Sequence, residues 1–306
     1  MAQPTRSQVH IDSAMTRVSI AYRNAGYIAE QVFPVVPVQH QSDKYFVFDK
    51  SSWFRNEAGL RSPGTRGPFA EYSITASTYA CKPISESMLV PDEIVDNADS
   101  PLQPRRDATE FCTDKVMLYA EKEVADVVFG AGWSSSSTPT TTWDDDSSDP
   151  INDVEVGKET MVGLLGREPN VMVMGRNVWT DLKNHPDLLD RIKFTQTGVM
   201  TEQLLAQIFG VPKILIGNAI YTTAVEGLGV TTTYSFIWGK HAWLGWVPPT
   251  PGLMQPAAGY MFTWKNRVVY RFRREEELSD VVRTEWHYDS HQTCADAGYL
   301  FKSCVA

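Results

Sequence analysis

Apolar positions along this chain keep two rhythms, and each rhythm predicts an element. Between residues 44 and 84, "KYFVFDKSSWF" and "FAEYSITASTYACKPI" alternate aromatic or β-branched with polar residues around "RNEAGLRSPGTRGP". Period two predicts a long β-hairpin with Gly59, Pro63, Gly64, Gly67 and Pro68 in a wide tip. From Asp99 or Ser100, taken as N-cap with Pro101 in the first turn, the period becomes helical. Ala108, Cys112, Val116, Tyr119, Ala120, Val124 and Val127 recur at steps of three and four; Asp107, Asp114, Lys115, Glu121, Lys122 and Asp126 mostly lie between them. The result is an amphipathic rod of about 25 residues, roughly 38 Å long. Gly130 and Gly132 end it, and the run "GWSSSSTPTTTWDDDSSDP" follows as an exposed loop.

Ahead of the hairpin, "QVFPVVPVQ" is apolar but interrupted, and Pro34 and Pro37 remove ladder donors, so an extended arm or edge is predicted there. Beyond Pro150 the texture is α/β. A helix over about 150–166 leads to the strand "VMVM", a helix from Asn177 broken at "NHPDL", a helix "TEQLLAQIFG" between Thr201 and Gly210, and the strand "KILIG". The finish is strand-rich: "YMFTWKNRVVYRFRRE", "VVRTEWHY" and "GYLFKSC". The fold class is therefore α+β, a small α/β unit joined to a mostly antiparallel one.

Composition narrows the function. The chain has 306 residues, a net charge of -9 and 42% hydrophobic residues. It can bury one or two cores, and its acidity disfavours a protein whose main work is gripping nucleic-acid phosphates. There is no run of 18 apolar residues and no signal-peptide pattern, so folding in a cytoplasm without membrane insertion is expected. Cys81, Cys112, Cys294 and Cys304 form no CxxC pair, which predicts reduced, mostly packed thiols.

Four stretches offer chemistry, each beside a plainer reading. In "NVMVMGRNVWTDLKNHPDLLDRI" a strand feeds a helix through Gly175-Arg176, where helix N–H groups could hold an anion, but GxGxxG and GxxxxGK[ST] are missing. In "DDDSSDPINDVE", Asp144, Asp146, Ser148, Asn152 and Glu155 match calcium-loop spacing with Ile151 at the apolar position; Asp149 stands where the turn needs Gly, and the plainer reading makes it a helix cap followed by Pro150. His287, His291 and Cys294 would suit zinc on a helix, whereas the flanking residues predict a strand and turn that scatter them. The basic run Lys265, Arg267, Arg271, Arg273, Arg274 abuts Glu275, Glu276 and Glu277, which favours an ion-paired, partner-facing strand end over a nucleic-acid patch. No GxSxG, HExxH or catalytic triad spacing is present, so no catalytic, cofactor or metal residue is assigned.

The order of these blocks, with "RSPGTRGP", "MLVPDEIVDNADSPL", "EKEVADVVF", "SDPINDV", "GREPNVMVMGRNVWTDLKNHPDLLDRIK" and "DAGYLF", resembles a tailed-bacteriophage major capsid protein over nearly the whole chain. That resemblance implies a Hong Kong 97-type capsid fold. Residues 1–42 would be the N-terminal arm, 43–90 the E-loop hairpin and its base, 91–149 a peripheral domain with the spine helix, 150–257 the axial domain, and 258–306 the C-terminal strands of the peripheral domain. It implies a structural protein that self-assembles, as hexamers and pentamers, into the icosahedral head shell of a virion built in the host cytoplasm. Since the long N-terminal scaffolding region of some relatives is absent, scaffolding would come from a separate protein or from a region removed before residue 1; a portal and a decoration protein would be further partners, and packaged DNA a non-specific neighbour. Inter-subunit contacts are expected at Trp53, Phe54, Arg55, Arg61, Arg66, Phe69 and Tyr72 of the E-loop and at Arg271, Arg273, Arg274, Glu275, Glu276 and Glu277. Some relatives cross-link through an E-loop lysine, but here Lys44, Lys50 and Lys82 lie towards the base. An encapsulin-like compartment, a tail or other virion protein, and a small α/β nucleotide-binding enzyme are the alternatives, separable by gene neighbours, by rings or tubes against closed shells, and by a monomer that binds nucleotide.

Overall fold

Strands from both halves of the chain meet in one four-stranded sheet. In a computed structural model, which describes residues 24, 26–99, 102–193, 200–222, 234–252 and 254–306, the strands are β1 (Val35–Pro37), β2 (Ser42–Phe48), β3 (Ile74–Ala80), β4 (Lys82–Pro91), β5 (Ser135–Ser137), β6 (Val171–Gly175), β7 (Lys213–Gly217), β8 (Ile220–Thr222), β9 (Tyr234–Phe236), β10 (Ala242–Gly245), β11 (Gly259–Arg274), β12 (Ser279–Gln292) and β13 (Gly298–Phe301). The first sheet runs β1-β11-β12-β4. Its centre is the antiparallel β11–β12 hairpin, and β1, the Pro-limited arm, lies parallel to β11 at the edge, as Pro34 and Pro37 require.

The predicted rod is the 25-residue helix Pro104–Val128. It starts later than expected. Pro104, whose missing N–H costs nothing at a helix start, occupies the first position after Gln103, and Ser100 and Pro101 lie outside the described residues. Ala108, Cys112, Val116, Ala120, Val124 and Val128 face inward against Val90, Val282, Trp286 and Tyr288. Two positions depart from the predicted stripe: Tyr119 is exposed, and Glu121 is fully buried.

The second sheet, β5-β13-β10-β6-β7, separates two cores. Val171, Val173, Leu215, Trp243 and Leu300 point to the core shared with the long helix. Met172, Met174, Ile214, Ile216, Leu244 and Phe301 point to the other, beneath the helices Pro150–Leu165, Arg176–Asn184 and Glu202–Phe209. Burial on both faces explains the unbroken apolar run "VMVM". Thr201 caps the last of these helices by accepting from Leu204 N at 3.3 Å, and Gly210 ends it at φ 64°, as its sequence predicts. This sheet also divides the block 258–306: β13 pairs with β10 and β5 instead of joining β11 and β12. Tyr299 and Phe301 bury their rings beneath the α/β helices, so the last strand belongs to that layer.

All four thiols are free, and Cys81, Cys112 and Cys304 are buried. Burial pushes Cys112 up to about 11 and Cys304 up to about 12, so neither is a thiolate at neutral pH.

Candidate assembly surfaces

The hairpin forms, but with a shorter ladder than its alternation predicts. β2 and β3 pair from Ser42↔Ala80 to Phe48↔Ile74, while residues 50–54, expected as strand, are the short helix Lys50–Phe54. Asp49 causes the change: its carboxylate accepts from Ser51 N at 3.3 Å and from the hydroxyls of Ser51 and Ser52, and these bonds hold it below the ordinary carboxylate range. Past Cys81 the chain leaves the ribbon, and Pro83 and Ile84 pair with β12 as part of β4. The ribbon leans on the outer face of β11 through Tyr79, stacked on Phe262 at 4.7 Å, and through Tyr45.

Beyond that foothold the apolar side chains have little cover. Trp53, Phe54, Phe69 and Tyr72 are exposed, Phe69 to 82% and Leu60 completely. Phe48 packs edge-on to Trp53 and tilted to Tyr72, and Phe54 lies against Gly166. Arg61 and Arg66 are exposed at the tip, and Arg55 pairs with Glu57 at 2.8 Å. Lys50 is engaged with Asp296 at 2.7 Å.

At the far end of the β11–β12 hairpin the basic run is ion-paired within the chain. Arg271 and Arg105 meet the buried Asp280 at 2.8 and 2.7 Å; Arg273 grips both oxygens of Asp92; Arg274 reaches Glu277. Burial alone would raise the Asp280 carboxyl, but Arg105 and Arg271 hold it below its ordinary value. Arg267 pairs with Glu30 and lies over Trp286, and Lys265 lies over Trp264. The predicted ion pairing is thus internal, and it breaks up the nucleic-acid patch.

The remaining candidates have local explanations. A Cβ on Gly175 would stand 1.8 Å from the carbonyl oxygen of Gly239. The glycine is needed for that backbone approach as the strand turns into its helix, and Arg176 reaches Asn218 at 3.4 Å. Gly175→Ala is expected to cost about 2 kcal/mol by overpacking, seen as a lower urea midpoint. In the acidic loop, Asp149 caps the helix Pro150–Leu165 by accepting from Asn152 N at 3.0 Å, and Ser148 hydrogen-bonds the His185 ring at 3.0 Å. His287 and His291 lie on β12, four residues and roughly 13 Å apart at strand spacing, and His287 pairs with Glu285.

Sequence pattern missed Glu121. Its Oε1 accepts from Ile28 N at 3.0 Å and from Trp238 Nε1 at 2.6 Å, and its Oε2 accepts from Ala29 N at 2.8 Å. Burial raises this carboxyl above its ordinary value, while the N–H groups of Ile28, Ala29 and Trp238 act against the rise. One carboxylate thereby ties residues 28 and 29, ahead of β1, and the residue before Gly239 to the middle of the long helix.

A ribbon that projects past its own core, an arm laid along the edge of a four-stranded sheet and a long helix on that sheet make up an α+β capsid fold. The solved phage-related protein from Bordetella bronchiseptica RB50 shares it, with a TM-score of 0.71 and 24% identity, covering 92% of this chain and 94% of that one. The capsid structure of cyanophage P-SCSP1u gives 0.64 at 10% identity, covering 93% and 90%. The major capsid protein of Burkholderia phage BcepMu is 29% identical over 305 residues, 95% of each chain, and that of Pseudomonas phage JBD67 is 28% identical over 239 residues, 76% of this chain and 75% of its own. No family model matches. The resemblance to phage major capsid proteins is borne out along nearly the whole chain.

Proposed function

We infer that this chain is a major capsid protein, a structural protein and not an enzyme, whose copies self-assemble into the shell of a phage virion. The observation that carries the reading is its similarity to the BcepMu major capsid protein over 95% of both chains. The hairpin supports it physically, because aromatic side chains left in water by one copy suit burial between copies. In finer terms the fold is of the Hong Kong 97 type. The β2–β3 ribbon with its tip is the E-loop, Pro104–Val128 the spine helix, the four-stranded sheet the peripheral domain, and the five-stranded sheet, including β5 and β13, the axial domain. Trp53, Phe54, Arg55, Arg61, Arg66, Phe69 and Tyr72 contact a neighbouring copy in hexamers and pentamers. Scaffolding, portal and decoration proteins are its partners, with assembly in the host cytoplasm around double-stranded DNA.

Negative-stain microscopy of the protein, expressed with its scaffold, is expected to show closed shells; a monodisperse monomer under those conditions would overturn the reading. The shells are expected to be held noncovalently. The tip carries arginines, which cannot replace a lysine amine as nucleophile, and Lys50 is ion-paired at the base. Boiled mature particles should therefore run as one band near 34.3 kDa, and a ladder of oligomers would contradict this.

A further inference from the structure

We propose that the cleft beside the first turns of the long helix docks a second copy of this chain, and that its occupant is the acidic turn Glu275–Leu278 of that copy. The inference rests on the shell-forming reading and names one contact within it.

The cleft exists because the helix lies over β12 and β4 and leaves β11 uncovered. Val269, Arg271 and Arg273 share the sheet face of Thr284, Val282 and Asp280, their register partners, and Val269 remains exposed. Arg105, Arg106, Thr109 and Glu110 from the helix, with Val269, Arg271 and Val282 from the hairpin, line an open cleft of about 480 Å³. Its floor is apolar, and its rim sets the three guanidinium groups of Arg105, Arg106 and Arg271 against the carboxylates of Glu110 and Asp280. Arg105 and Arg271 share the single carboxylate of Asp280, which leaves one positive charge in excess, and Arg106 meets Glu110 in an exposed i,i+4 pair at 3.1 Å.

The turn has the complementary chemistry. Glu275, Glu276 and Glu277 are exposed, and Glu276 has no ion-pair partner among the described residues. Leu278 is 62% exposed and adopts φ 43°, a conformation uncommon for a branched residue. The turn is held in that shape: Asp92 N donates to Leu278 O at 3.0 Å, and Ser279 Oγ donates to Glu277 O at 2.6 Å. Three carboxylates beside one presented leucine match arginines around a valine floor. Within the chain this turn is engaged at the hairpin end, where Arg273 meets Glu275 and Arg274 meets Glu277.

The test uses the full chain under conditions in which the parent assembles. Oxidised shells of a Thr109→Cys/Leu278→Cys variant are expected to yield disulfide-linked oligomers on a non-reducing gel, absent from either single variant. Arg106→Glu and Glu276→Arg should each lower shell yield about tenfold or more through like-charge juxtaposition, and the combined charge swap should regain it. No cross-link within intact shells, single charge variants that assemble like the parent, a swap that fails to rescue, or a cross-link to a different protein would each overturn the proposal. Failure of the parent itself to assemble would instead overturn the shell reading.

Discussion

Replacing Glu121 with alanine is expected to cost on the order of 3 kcal/mol. The substitution leaves the backbone N–H groups of Ile28 and Ala29 and the indole N–H of Trp238 without their acceptor in a fully buried site. An unsatisfied buried donor costs about 1–3 kcal/mol, and relief from burying the carboxylate offsets part of the sum. For a chain of this size the loss corresponds to a fall of roughly 5–10 °C in Tm. Glu121→Gln should act in the same direction but less strongly, because both carboxylate oxygens accept and an amide can supply only one acceptor. The arm should loosen first. Tyr27 packs against the core and donates to Asp114 at 2.9 Å in the parent, so chymotrypsin should cut the Tyr27–Ile28 bond faster in the variant. Unchanged Tm and unchanged cleavage would show that the arm is held elsewhere.

Excising the hairpin tip from Gly59 to Pro68 and closing it with Asn-Gly is expected to abolish shells while leaving the protein folded. The excised residues carry no strand of the β2–β3 ladder, and the ribbon keeps its foothold at Tyr79 and Phe262. Little of the monomer's core is therefore lost, and Asn-Gly supplies a turn suited to hairpins. What is lost is surface offered to neighbours, Leu60 and the two tip arginines among it. Circular dichroism and Tm should match the parent, and sedimentation should show monomers or small capsomers in place of closed particles. Arg61→Glu and Arg66→Glu should produce a milder, salt-dependent defect if the tip meets acidic groups. Normal shells from the excised protein would remove the hairpin from the assembly mechanism.

The elements of this protein are legible in its sequence because their signals are local. Period-two runs gave β11 and β12, the helical stripe gave the long helix, and Asp149-Pro150, Thr201 and Gly210 marked helix ends by backbone bonding that reaches only a few residues. The order of those elements carried the capsid resemblance. Misreadings arose where one local signal competed with another. Asp49 turned residues 50–54 into a helix inside an alternating stretch, and Pro104 in place of Pro101 began the long helix.

Only the tertiary structure decided which partner each element meets. Strand periodicity cannot tell that Gly298–Phe301 joins the sheet of Val171–Gly175 and not the adjacent hairpin, because registry between strands is set by the core each face buries. Nor could it separate Glu121 from Lys122 and Asp126, since a carboxylate between apolar positions reads as solvated until donors from residues 28, 29 and 238 are brought around it. The arginine-rich strand end read as a partner-facing end ion-paired beside its own glutamates; its distant partners Asp92 and Asp280, the latter shared with Arg105, come together only when helix and sheet pack. Sequence fixes what each segment prefers locally, and long-range burial decides where the charges and the open faces lie.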